Sequence, residues 1–151
     1  MEHQPTTTLH PSPGGEYVAV LGPAREVWGN YLADLALWER ASPPRLRYHR
    51  AGHAAHALAV PPTGPPVFLY WSPAGDWLTF YEVRRSETYQ VVFIQVGAGQ
   101  MYRVPATAEL LAQLPTLSQH GPQIADFLHQ AAPSASPLVL DEAPAELRLA
   151  R

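Results

Sequence analysis

The sequence predicts a mainly antiparallel β fold, built from two blade-like four-stranded meanders and completed by two C-terminal α-helices. The first observation behind this prediction is a repeat, because Ser-Pro-x-Gly-acid-aromatic-apolar occurs at residues 12–18 and again at 72–78. The second is that short apolar runs of strand length follow each copy of the motif. The third is a change to helical apolar spacing after Pro105.

Each repeat begins with a tight turn. Proline after serine sets φ for the turn, and Gly15 and Gly75 stand where a positive φ is needed. Ser12 and Ser72 precede these prolines, and a serine in that position usually caps the turn. We therefore predict a turn-capping role for both serines, since neither has the Gly-x-Ser-x-Gly context of a hydrolase nucleophile.

Four short strands are predicted in each copy. The strand after the turn begins at Tyr17 in the first copy and at Trp77 in the second. The glycine-rich loop 97–99 joins the last two strands of the second copy as a hairpin. An extra strand is predicted at 56–60, between the copies. The remaining predicted strands are 6–9, 31–38 and 46–49 in copy one, and 67–71, 89–96 and 100–104 in copy two.

Two helices are predicted after the second copy. Thr107 suits an N-cap, Leu110 and Leu114 lie on one helical face, and Pro115 is expected to stop the first helix. Gly121 at the cap and Pro122 at the first position mark the second helix. Its apolar face repeats at helical spacing through Ile124, Phe127, Leu128 and Ala131.

These elements predict one domain over residues 1–135, followed by a C-terminal tail at 136–151. The repeat units cover about 6–49 and 66–104, and the helical segment covers 106–131. Residues 132–137 are rich in Ala, Ser and Pro, which predicts a linker.

Composition excludes several classes of function. The net charge is −3, so the chain lacks the broad positive surface that nucleic-acid binding requires. There is no cysteine, which excludes thiolate catalysis, and no lysine, which excludes a P-loop or Schiff-base lysine. The polar N-terminus and the absence of a long apolar run predict neither a signal peptide nor a membrane partner, and favour a cytoplasmic location. The use of Arg as the sole basic residue, with abundant Ala and Pro, indicates a GC-rich and bacterial genome.

The repeated motif resembles the WD40-like repeat of TolB-type and prolyl-oligopeptidase-type β-propellers. The residues that carry the likeness are Ser12, Pro13, Gly15, Glu16 and Tyr17, then Ser72, Pro73, Gly75, Asp76 and Trp77. In these families the turn joins the two inner strands of a blade, and most members bind other molecules. A closed propeller has about four to eight blades, whereas this chain has two copies of the repeat.

The best candidate for a binding surface is the hairpin of the second copy. Its mixed charges and aromatic residues are typical of interaction hot spots, although a solvated loop has the same composition. The predicted binding residues are Tyr81, Glu82, Arg84, Arg85 and Tyr89.

Three further features allow alternative chemistry. His49, His53 and His56 have a spacing that can converge on a metal, although solvated loop histidines are the simpler interpretation. Asp126 and His129 lie one helical turn apart, which is usual for an exposed pair. A buried carboxylate at Asp34 needs a partner, and an outward-pointing side chain is the equal alternative.

The sequence therefore predicts a non-enzymatic protein-interaction module, adaptor-like or immunity-like, of a bacterial cytoplasm. It predicts no cofactor. The expected partner is another protein or a second copy of the chain, because two blades leave open strand edges. A homodimer is favoured, since two-fold pairing is the commonest oligomeric state. The alternative is a small-molecule-binding or metal-dependent hydrolytic protein that uses the loop histidines.

Overall fold

Antiparallel strands form two sheets, and two helices follow them in the chain, as the sequence predicts. The structure is a computed structural model that describes residues 7–22, 25–27, 30–50, 56–59, 69–84 and 89–138. The elements of this described part are, in chain order, β1 (Thr8–Pro11), β2 (Tyr17–Leu21), β3 (Arg25–Val27), β4 (Asn30–Ala33), β5 (Leu35–Glu39), β6 (Arg45–Arg50), β7 (His56–Ala59), β8 (Leu69–Trp71), β9 (Trp77–Arg84), β10 (Tyr89–Gln95), β11 (Gln100–Pro105), α1 (Ala108–Leu117), α2 (Gly121–Ala131) and β12 (Ala135–Pro137).

The first sheet is an antiparallel meander in the order β1-β2-β5-β6, with a bulge between Leu37 and Trp38. This confirms four strands for copy one. The predicted continuous strand at 31–38 is wrong, because the chain changes sheets at Asp34: β4 belongs to the second sheet and β5 to the first. The carbonyl of Asp34 accepts a hydrogen bond from Gly22 N over 2.9 Å, which holds the crossing point beside the end of β2.

The second sheet contains the meander predicted for copy two, β8-β9-β10-β11, and extends it on both sides. The C-terminal half of β9 pairs with β7, and β4 and β3 continue the sheet from there. The predicted strand at 56–60 is therefore confirmed over His56–Ala59. On the other side β12 pairs with β11, so residues 135–137 form a strand where the sequence predicted a linker.

The two repeated turns have the same hydrogen bonds. In copy one Ser12 N donates to Tyr17 O and Gly15 N donates to Ser12 O, and the second copy repeats both bonds at positions sixty residues later. Gly15 has φ of 75° and Gly75 has φ of 76°, which confirms the predicted left-handed glycines. The serine hydroxyls accept from Tyr17 N and Trp77 N over 3.1 Å each, which confirms their capping role.

The two turns also contact each other. A Cβ at Gly75 would lie 3.6 Å from Cβ of Ser12 and from Cδ of Pro13, so the turns are in van der Waals range. Next to them, the indole N–H of Trp71 donates to the carbonyl of His10 over 2.8 Å. Trp71 also stacks on Tyr17, with ring centroids 6.5 Å apart. The two copies are therefore joined at their turn ends.

The first core lies between the two sheets. The period-two alternation of β2 and β5 turns Ala19, Leu21, Leu35 and Leu37 to this side. They meet side chains from β9, β10 and β11 of the second sheet: Leu78, Phe80, Val92, Ile94 and Met101. Each of these is at most 4% exposed, so this interface supplies much of the buried apolar area.

The second core lies between the opposite face of the second sheet and the helices. Trp77, Val91 and Phe93 contact α1 and α2 there, through Leu110, Leu114, Ile124 and Leu128. Tyr17, at the position equivalent to Trp77, packs against the first core instead. Tyr17 and Trp77, which begin the equivalent strands of the two copies, therefore pack in different cores, because the copies pack with unlike faces together.

The first helix begins as predicted but ends later, and the second helix begins slightly earlier than predicted. Oγ1 of Thr107 accepts from Leu110 N over 3.1 Å, which confirms the N-cap of α1. Pro115 does not stop α1, which continues to Leu117. A proline in the last turn removes one backbone donor only, and buried Leu114 anchors that turn in the second core. The second helix begins after His120, one residue earlier than predicted.

Candidate functional site

Two of the predicted binding residues form an aromatic pair. Tyr81 on β9 and Tyr89 on β10 stack with ring centroids 5.2 Å apart and an interplanar angle of 20°. Alternation along both strands places them on the face of the second sheet that carries the second core, since Trp77 and Val91 have the same parity. Both tyrosines are partly exposed.

Tyr81 stays neutral at physiological pH. Burial, and then the neighbouring Tyr89, raise the pKa of Tyr81 above its usual value. A neutral phenol presents an O–H donor together with an apolar ring, which is why tyrosine is common in interfaces.

Glu82 follows Tyr81 on β9, and its side chain lies on the opposite face of the sheet. Its side chain is 2% exposed, and its Oε1 accepts a hydrogen bond from Nε of Arg103 over 2.6 Å. Glu82 is therefore buried in an ion pair on the first-core side, and not in a solvated loop or on an exposed rim. The hairpin composition missed this because neighbouring residues of a strand face opposite sides.

The two predicted arginines are placed only in part. The backbone of Arg84 ends β9, where it pairs with His56 of β7. Arg85 lies outside the described residues. Of the five predicted residues, the structure thus brings Tyr81 and Tyr89 together and separates Glu82 from them.

Beside the tyrosine pair is a groove that the sequence did not predict. It has a volume of about 360 Å³ and opens between the end of β11, the N-terminal turns of α1 and the C-terminal turn of α2. Its lining residues are Val104, Pro105, Thr107, Glu109, Leu110, Gln113, Phe127 and Ala131. The lining is mostly apolar, and Glu109 is its charged member.

The groove and the tyrosine pair are neighbours on one face of the second sheet. In the register of β9, β10 and β11, Tyr81 lies opposite Val91, and Val91 lies opposite Val104 of the groove. The carbonyl of Tyr89 accepts a hydrogen bond from Ala106 N over 3.1 Å, next to the groove residue Pro105. With strands about 4.8 Å apart, Tyr81 stands roughly 10 Å from Val104. We call the groove and the two tyrosines together the aromatic groove.

The candidate metal ligands are divided between different environments. His49 is 1% exposed and belongs to β6 of the first sheet. The backbone of His56 lies in β7 of the second sheet, and His53 lies outside the described residues. Within the described ranges, no three acidic or histidine side chains gather as metal ligands would.

The other candidates for chemistry occupy structural positions. Asp126 and His129 are both exposed on α2, and neither lines the groove. Ser12 and Ser72 are buried in their turns, and the hydroxyl of Ser72 donates to Oδ1 of Asp76 over 2.7 Å. Asp34 is partly buried at the crossing between sheets.

Comparisons of the chain with protein-family models, with curated proteins and with solved structures gave no match. Neither helix of the described part combines the length and the apolar character needed to cross a bilayer.

Proposed function

We propose that the protein is a non-enzymatic interaction module that binds another protein through the aromatic groove. The observation that carries the proposal is the proximity of an open apolar groove and a stacked tyrosine pair on one sheet face. Apolar depressions flanked by tyrosines are typical of the centres of protein interfaces, where a few anchors supply most of the binding energy.

The chemistry of the groove defines the partner. Phe127, Leu110 and Val104 suit an apolar side chain of the partner as anchor. Glu109 at the rim favours a basic residue next to that anchor, because opposite charges across an interface steer association. The stacked rings of Tyr81 and Tyr89 supply further apolar contact area for the partner.

The WD40-like resemblance supports the same function. Propellers of this type mostly bind other molecules, although the fold alone does not determine the partner. The composition supports a bacterial cytoplasm as the place of action, since the chain uses Arg alone as its basic residue and has no cysteine.

The test is capture of partners from a lysate of the native host with three tagged proteins. Ala131→Arg places a long side chain into the groove from its exposed rim, and Ala125→Arg makes the same change at an exposed position elsewhere on α2. We expect the wild type and Ala125→Arg to retain the same partner, and Ala131→Arg to lose it at least tenfold. Equal retention by all three proteins would contradict binding at the groove.

A further inference from the structure

The outer edge of β1 is an unpaired strand edge in the described part of the chain. The first sheet has β1 at one end and β6 at the other. The edge at β6 carries Arg45 and Arg47, and charged residues on an edge discourage pairing with another strand. The meander of copy two has its outer strand β11 covered by β12. Among these edges, β1 has no protection of either kind.

The composition of β1 favours pairing with a further strand. The strand Thr8–Pro11 has no charged residue. Leu9 is 49% exposed, and it is the single exposed large hydrophobic residue in the described ranges. An uncharged edge with an exposed apolar side chain is the combination that soluble proteins usually avoid unless the edge is used.

The alternation of hydrogen bonds along β1 shows which backbone N–H and C=O groups face away from β2 and can pair with another strand. Ser12 N donates to Tyr17 O, so alternate residues toward the N-terminus, His10 and Thr8, face β2 with their backbone groups. Leu9 is out of phase with them, and its N–H and C=O face away from β2. Pro11 has the same parity as Leu9, which agrees with its lack of an N–H.

We propose that a second copy of the chain pairs with this edge, β1 against β1, antiparallel about a two-fold axis through Leu9. This pairing places Leu9 opposite Leu9 of the partner subunit, where two N–H···O=C bonds form. Thr7 N donates to the carbonyl of Pro11 of the partner subunit, and the symmetric bond forms as well. The two first sheets become one continuous sheet across the axis.

A second copy fits this edge because every opposed pair is uncharged. The axis places Leu9 opposite its own copy, Thr8 opposite His10 of the partner subunit and Thr7 opposite Pro11 of the partner subunit, so no acidic side chain and no Arg side chain meets another across the axis. The two leucine side chains cover each other at the centre. This surface lies in the first sheet and the aromatic groove in the helical layer, so the dimer and partner binding can be tested separately.

Light scattering after size exclusion gives the first test. We expect the wild type to have twice the chain mass of 16.6 kDa, and Leu9→Pro to have the mass of one chain. Proline at position 9 removes an outward N–H and no bond to β2, so circular dichroism should be unchanged. Leu9→Val keeps the donor and an apolar side chain, and should remain dimeric. A wild type of 16.6 kDa at all concentrations, or a Leu9→Pro dimer, would overturn the proposal.

Cross-linking gives a second test that needs no destabilising change. The chain has no cysteine, so Leu9→Cys introduces a single thiol. Directly opposed residues of a hydrogen-bonded antiparallel pair have Cα atoms about 5.5 Å apart, within disulfide range. With oxidised glutathione, Leu9→Cys should form a covalent dimer at low protein concentration, and the exposed control Ala125→Cys should not. Equal cross-linking of both variants would contradict the pairing.

Discussion

Arg103 donates a hydrogen bond from Nε to Oε1 of Glu82 over 2.6 Å, across the strand β10 that separates them in the second sheet. Both side chains lie on the side of that sheet that faces the first sheet, and Glu82 is almost completely buried. A carboxylate removed from water in this way requires a cationic or hydrogen-bonding partner. The main effect of Arg103 is therefore to balance the buried charge of Glu82, and the pair as a whole adds less to the net stability of the fold.

Removal of the Arg103 guanidinium alone should therefore lower the free energy of unfolding more than removal of both charged groups. We expect Arg103→Met to lower the free energy of unfolding by about 3–5 kcal/mol, because the buried Glu82 loses the guanidinium that balances its charge. The double variant Glu82→Gln/Arg103→Met should recover a large part of this loss. Urea unfolding of the wild type, both single variants and the double variant measures the coupling. Additive effects of the two single changes would contradict the account.

The two turn-capping serines provide a matched pair of changes. Oγ of Ser72 accepts from the buried N–H of Trp77, whereas Oγ of Ser12 accepts from the partly buried N–H of Tyr17. We expect Ser72→Ala to cost about 1–3 kcal/mol and Ser12→Ala about 0.5–1.5 kcal/mol, since an unsatisfied donor costs more when water cannot reach it. Thermal unfolding of the two variants gives the comparison, and a larger loss for Ser12→Ala would contradict it.

The strand β12 should protect the edge of the second sheet. Deletion of residues 135–151 removes the strand that pairs with β11, and leaves the backbone groups of that edge exposed. We expect the shortened protein to aggregate as its concentration rises, which light scattering detects. Deletion of 139–151 keeps β12 and serves as the control. If both proteins behaved as the full chain does, β12 would have no protective role.

Stability should fall in mild acid because of His10. Burial lowers the pKa of His10, so the unfolded chain binds a proton more readily than the folded chain as the pH falls below about 6.5. The contribution of His10 is complete above that pH and is lost below it. The decrease in melting temperature between about pH 7.5 and pH 5.5 should be larger for the wild type than for His10→Gln. Identical decreases would show that His10 does not titrate differently on folding.

Local features of the fold could be predicted from the sequence because they depend on neighbouring residues. The two Ser-Pro-x-Gly turns and the cap at Thr107 each form their hydrogen bonds within five residues. The crossing at Asp34 could not be predicted, because the apolar run at 31–38 continues through it and only the packing of two sheets divides it. Strand β12 could not be predicted either, because it is short and contains Ser and Pro, and it forms only by pairing with β11.

In the candidate site too, local features could be predicted from the sequence and features that depend on packing could not. The sequence assigned Tyr81 and Tyr89 to one candidate surface because they flank one hairpin, and antiparallel pairing brings them together. The groove was missed because Val104 and Phe127 are distant in sequence and meet only when the helices pack on the sheet. On the apolar face of α2, Ile124 and Leu128 are buried, whereas Phe127 and Ala131 are partly or fully exposed and line the groove.

The central claim, that the aromatic groove binds another protein, is tested most directly by photo-cross-linking in living cells of the native host. A photoreactive amino acid replaces Gln113, which lines the groove, or Gln119, which is exposed after α1 and does not line it. The account predicts a discrete cross-linked product of higher mass from position 113 and none from position 119. Absence of a product from position 113, or the same product from both positions, would contradict the claim.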